Sequence, residues 1–302
     1  ALKNLIDKNI KTKDILTSKA FENAMIVHAA CGGSTNLILH LPAVAHAVKE
    51  NIMKVEDWIR INKLTPRLVD VLPNGPNGFP TSVFFSSGGV PEVMLKLRDE
   101  GLLNLDVITS TGLTLKENLD WWEQSEKRDF VRKQLRNTRN IDPEDVVHSL
   151  KNSKKKNMTS TVTFPKGNIS PEGSVVKSTA IDKTVIDDDG VYRKIGPARI
   201  FISEADAIKA VKDKGENGVK AGDIMVIVCG GPKGTGMQEV AQITIALKYL
   251  SYGKEVALIT DGRFSGVSTG ACIGHIGPEA LDGGPIGKLK ENDLIEINID
   301  TI

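Results

Sequence analysis

The sequence predicts an α/β protein in two parts, a mostly helical stretch over residues 1–156 and a strand-rich stretch over 157–302. Three observations predict it. Apolar residues recur at helical spacing in the first half, as in residues 37–48 and 55–64. From residue 160 onward, short apolar runs appear at 160–164, 174–177, 198–201, 224–228, 256–260 and 294–299, each the length of a strand. Helical pieces at 203–212 and 238–250 lie between those runs, and such alternation gives an α/β domain with a mixed sheet.

Taken in order, residues 14–30 lead into Cys31-Gly32-Gly33-Ser34-Thr35-Asn36, and the helix 37–48 follows. Residues 55–64 (VEDWIRINKL) form a second amphipathic helix, and 72–78 (LPNGPNG) is a turn by composition. Pro91 stands near the favoured first position of a helix over 91–100. Residues 119–137 are charged and predict one exposed helix, with Trp121 and Trp122 packing rather than binding a ligand. The run 151–157 (KNSKKKN) is polar and basic and predicts a solvated linker.

Composition excludes several classes. With 40% hydrophobic and 25% charged residues among 302, the chain is globular and long enough for two cores. A net charge of +1 and 5% aromatic residues give no electrostatic or stacking case for nucleic acid. No apolar run approaches the roughly 20 residues that cross a bilayer, so no membrane partner is expected. The three cysteines, Cys31, Cys229 and Cys272, lack paired spacing and fit a reducing cytoplasm. The sequence opens at Ala1 without Met and reads as an internal piece of a longer protein.

The most informative stretch is residues 257–287 (ALITDGRFSGVSTGACIGHIGPEALDGGPIG). An apolar strand ends at Thr260-Asp261-Gly262, and a turn of small and hydroxyl residues follows. Glycine there allows close backbone approach to a ligand, and a Ser held on such a turn is a candidate chemical group. His275, close by, is the histidine most worth following; the five histidines show no metal-ligand spacing.

Two other glycine-rich loops precede helices. In Cys31–Asn36, Ser, Thr and Asn read equally as an ordinary helix cap and as an anion site at the helix start. Gly230-Gly231-Pro232-Lys233-Gly234-Thr235-Gly236-Met237 follows a strand but has no GK[ST] ending, so it is not a Walker loop. Asn168–Gly173 reads as a tight turn before a strand, leaving Lys177 as a surface charge.

GGSTN at 32–36, GGVPEVMLKL at 88–97, TGLTLKEN at 111–118, GNISPEGSVVK at 167–177, GPARIF at 196–201 and DGRFSGVSTGACIGHIGPEA at 261–280 occur in a telling order. The chain resembles the dihydroxy-acid dehydratase / 6-phosphogluconate dehydratase superfamily. Its CGGPKGTGMQEV loop and last motif resemble the sugar-acid branch, that of bacterial D-xylonate dehydratases. The resemblance implies a truncated helical α/β catalytic domain over 1–156 and a β-rich α/β swivelling domain over 157–302. It implies a hydro-lyase that turns a sugar acid, D-xylonate foremost, into its 2-keto-3-deoxy acid. The alternatives are a branched-chain dihydroxy-acid dehydratase and a non-catalytic subunit derived from the family.

By the same resemblance Ser265 is the base, as an alkoxide activated by a cluster or metal. Ser34, Thr35, Asn36, Ser268 and Thr269 bind substrate. An iron–sulfur cluster and Mg²⁺ are the implied cofactors, with ligands upstream of Ala1; no metal ligand is assigned within this chain. The dihydroxy-acid branch carries a metal-binding Glu in a YEGP motif, where this sequence has Gly230. A homodimer in the cytoplasm is expected.

Overall fold

The computed structural model describes every residue except Ile52, Thr159, Val267, Ser268, Thr269 and Ile302. Contacts divide the chain into two compact units, Ala1–Ser160 and Thr161–Ile302.

The first unit is helical: α1 (Leu2–Asp7), α2 (Thr12–Ile15), α3 (Ser18–Cys31), α4 (Asn36–Ala47), α5 (Val55–Leu64), α6 (Thr81–Ser86), α7 (Gly89–Asp99), α8 (Leu115–Glu123), α9 (Glu126–Arg139) and α10 (Leu150–Lys155). Helix α3 lies at its centre against α4, α5 and α7. Thr17 starts α3 by accepting from the Ala20 N–H, which satisfies one otherwise orphaned donor. The apolar side of α3, with Phe21, Met25, Ile26 and Ala29, is buried along with Trp58 and Ile61 of α5 and Val93 and Leu97 of α7.

Three expectations are corrected here. The helix expected over 119–137 is two helices. Ser125 stops the first by donating to the Trp122 carbonyl and starts the second by accepting from Arg128 N–H. The expected linker at 151–157 is largely helix α10. Its Leu150 and Ser153 are buried, and the Ser153 hydroxyl donates to the Arg67 carbonyl, so the basic run has an anchored face. Trp121 is not a core residue: it is 64% exposed, with its ring centroid 6.4 Å from that of Trp122.

The second unit is a six-stranded sheet with helices α11 (Glu204–Lys212), α12 (Pro232–Thr235) and α13 (Ala241–Lys248). The strands are β1 (Gly173–Val176), β2 (Val191–Phe201), β3 (Ile224–Ile227), β4 (Glu239–Val240), β5 (Ala257–Thr260), β6 (Arg263–Phe264), β7 (Cys272–Gly277) and β8 (Leu294–Asp300). The large sheet runs β1-β7-β5-β3-β2-β8, while β4 and β6 pair separately. Strands β2, β3, β5 and β7 are parallel, and β1 and β8 close the two edges antiparallel.

Alternation along β3 and β5 explains why these strands read as continuous apolar runs. Ile224, Val226, Ala257 and Ile259 join one core, while Met225, Ile227 and Leu258 face a second core with Ile243 and Leu247 of α13. A parallel strand covered on both faces has no polar side to show. The strand expected at 160–164 reduces to one bridge, Thr163 opposite Val176, and β7 was hidden inside a glycine-rich motif.

Candidate functional site

The candidate centre of the second unit is built where two loops leave the carboxyl ends of adjacent parallel strands β3 and β5. Asp261, the first residue after β5, is 1% exposed. Its carboxylate accepts N–H groups of Cys229 (3.2 Å) and Gly230 (2.8 Å), which follow β3, and of Ala280 (2.9 Å), which follows β7. One buried side chain thereby ties two other backbone segments to its own. Thr260, fully buried, accepts the Gly262 N–H at 3.0 Å and closes the turn.

Glycine is required at Gly231, where a Cβ would collide with the Glu279 carboxylate. Glu279 accepts the Lys233 N–H at 2.9 Å and 3.1 Å, which joins the GGPKGTGM loop to the segment after β7. The loop therefore serves as a clasp on its own domain's acidic residues.

Beyond the turn, β6 runs parallel to β4, and Arg263 Nε donates to the Met237 carbonyl at 2.6 Å. Phe264 is buried, and its ring meets His275 edge-on with centroids 6.5 Å apart. Gly274 has no room for a Cβ, which would come within 2.5 Å of that ring. His275 itself donates its N–H to the Gly262 carbonyl at 2.8 Å, a structural contact to the same turn. Ser265, half-buried, emerges directly from this clamped segment. Ser268 and Thr269, the other hydroxyls expected there, lie outside the described residues.

Sequence reasoning missed Lys177. Expected as a surface charge, it is 7% exposed. It follows β1, and a Cβ placed on Gly266 would lie 2.9 Å from its Nζ and 3.0 Å from its Cδ. The pairing of β1 with β7 brings the two segments together, a long-range contact that no local pattern encodes.

Ser34, Thr35 and Asn36 belong to the first unit, at the start of α4. Thr35 occupies the cap position but makes no side-chain cap bond; it is buried, whereas Ser34 is exposed and its hydroxyl accepts the Asn36 N–H at 3.2 Å. The loop is held from below by His28, whose Nε2 lies 2.9 Å from the Ser34 carbonyl oxygen, and by Asn74, which donates to the Gly32 carbonyl at 2.8 Å. Gly33 is obligatory because a Cβ would run into the His28 ring.

The described residues do not make up a cluster or cation site by themselves. Among the described residues, no three His, Cys, Asp or Glu side chains are placed to hold a metal. Burial pushes the Cys31 thiol up to about 12. Burial, with the Asp261 and Glu279 carboxylates, raises the Cys229 thiol above its ordinary value. Both shifts disfavour the thiolate that ligates metals.

Comparison with known proteins agrees with the motifs. Residues 1–118 match the dihydroxy-acid/6-phosphogluconate dehydratase N-terminal family and residues 145–302 its C-terminal counterpart. The chain is 61% identical over 298 residues to the D-xylonate dehydratase YjhG of Escherichia coli strain K12, covering 98% of this chain and 45% of that protein. It is 58% identical over 302 residues to the D-xylonate dehydratase YagF of the same strain, covering 100% and 46%. A dihydroxy-acid dehydratase of Picrophilus torridus is 40% identical over 299 residues, covering 99% and 49%. The chain thus spans about half the length of the curated relatives it matches.

Proposed function

The chain belongs to the dihydroxy-acid/6-phosphogluconate dehydratase family, and from that premise we propose that it is part of a hydro-lyase acting on a sugar acid, D-xylonate foremost. The higher identity to the two D-xylonate dehydratases than to the dihydroxy-acid dehydratase supports this substrate class.

Ser265 is the proposed base. Its Oγ takes the C2 proton, the C–H electron pair becomes the C2–C3 double bond, and the C3 hydroxyl departs, leaving as water once protonated. The enol then gains a proton at C3 as its C2 hydroxyl gives one up, and becomes the 2-keto-3-deoxy acid. The observation that carries this role is the clamped turn: Asp261, Phe264 and His275 hold the backbone on the N-terminal side of Ser265. A base fixed in this way loses little orientational freedom on reaction.

Ser34, Thr35 and Asn36 are proposed to hold the substrate carboxylate or hydroxyls at the positive end of the α4 dipole. Ser268 and Thr269 are proposed to hydrogen-bond substrate beside Ser265. The iron–sulfur cluster and Mg²⁺ implied by the resemblance are proposed to be held outside this chain, and no step is derived through them. The assembly is proposed to be a homodimer in the cytoplasm; no helix among the described residues is long and apolar enough to cross a membrane.

In the full-length enzyme, Ser265→Ala is expected to lower kcat by at least about 100-fold, the range for removing a general base, with the melting temperature unchanged. A variant that keeps near-parental kcat contradicts the assignment.

A further inference from the structure

We propose that Lys177 is a positioning residue for the base, its ammonium holding the Ser265 turn and favouring the Ser265 alkoxide. The inference rests on the reading of Ser265 as the base. Three observations carry it. Lys177 is 7% exposed, so its ammonium is held within the domain rather than in bulk water. Its Cδ and Nζ lie against Gly266, the neighbour of Ser265, at 3.0 Å and 2.9 Å from where a Cβ would stand. Its backbone is not adjustable: Val176, just before it, is paired with Ile273 of β7 on one side and bridged to Thr163 on the other.

An unperturbed Ser hydroxyl is too weak an acid to act as a base near neutral pH. A positive charge beside the turn lowers the free energy of the alkoxide relative to the alcohol. Lys177 contributes that charge from within the same domain as Ser265. Gly266 is the matching half of the device, because a Cβ there would press on the lysine tip and displace it.

The test uses the full-length enzyme, purified without oxygen, and compares Lys177→Met, Lys177→Arg, Gly266→Ala and Ser265→Ala. Lys177→Met is expected to lower kcat about 100-fold, as loss of one preorganised charge contact does, with KM within about threefold and an unchanged melting temperature. Lys177→Arg, which keeps the charge, is expected to recover at least about tenfold of that loss. Gly266→Ala, whose backbone is in a conformation open to any residue, pushes the lysine tip aside without removing it, and is expected to cost about tenfold in kcat.

The proposal is overturned if Lys177→Met keeps kcat within about threefold of the parent, or if it raises KM alone, which would make Lys177 a substrate-binding group. It is overturned as well if Gly266→Ala is indistinguishable from the parent, an outcome that decides the matter even should Lys177→Met fail to fold. An inactive Ser265→Ala beside a normal Lys177→Met sinks this inference alone. An active Ser265→Ala sinks the base assignment beneath it.

Discussion

Asp261 shows how a residue with no chemistry of its own can set the geometry of a site. Its carboxylate accepts backbone N–H groups of Cys229, Gly230 and Ala280 in a buried position. An ionised carboxylate has two oxygens with lone pairs enough for all of them, whereas an amide offers one oxygen and turns an NH₂ toward the remaining donors. Asp261→Asn is therefore expected to destabilise the folded state by about 3 kcal/mol, the cost of leaving buried donors unmet, read from the midpoint of urea unfolding. A loss below about 0.5 kcal/mol would show that the loops hold themselves without it. Ser265 was readable as a candidate because a Ser on a glycine-rich turn after an apolar strand is a local pattern. Lys177 was not, since its burial depends on a strand pairing roughly a hundred positions along the chain.

Among the elements, helices α7 and α9 are joined by an ion-pair network. Glu92, 1% exposed, takes two guanidinium bonds from Arg128, 2.8 Å and 2.9 Å long, and lies 3.1 Å from Arg132. Arg132 also donates to the Ser87 carbonyl and to Glu144, which tethers α6 and the segment after α9. Glu92→Gln keeps the shape but strands guanidinium charge in a poorly hydrated place, and is expected to cost about 3 kcal/mol of stability in chemical unfolding. A neutral effect would mean that Glu144 beside Arg132 and Asp129 beside Arg128 compensate the two arginines. Helix α5 appears over the residues its sequence predicts, because its apolar stripe repeats cleanly at helical spacing. The break between α8 and α9 was missed because a single Ser125 makes it, inside a run whose charge pattern continues through. Strand β7 was missed because glycines interrupt its apolar alternation; Gly274 is there to admit Phe264 and the returning turn, a requirement of packing rather than of strand propensity.

For the molecule as a whole, the α/β class was legible because both faces of β3 and β5 are covered, which forces long apolar runs on short strands. The family was legible chiefly through motifs, and three of them are held by a named contact within their own unit. His28 and Asn74 secure GGSTN, Glu279 secures the GGPKGTGM loop, and Asp261 secures the DGRFSG turn. Substrate choice was less legible, because Gly230 removes a side chain and a backbone position alone does not say which acid it admits. The central claim, a sugar-acid dehydratase, is tested most directly by 2-keto acid formation in the full-length enzyme purified without oxygen. D-xylonate, other aldonates and 2,3-dihydroxyisovalerate are offered side by side, and kcat/KM is compared. The account predicts a preference for an aldonate of at least about tenfold, equivalent to roughly 1.4 kcal/mol of differential transition-state binding. Preference for 2,3-dihydroxyisovalerate, or no turnover of any of these acids, would contradict it.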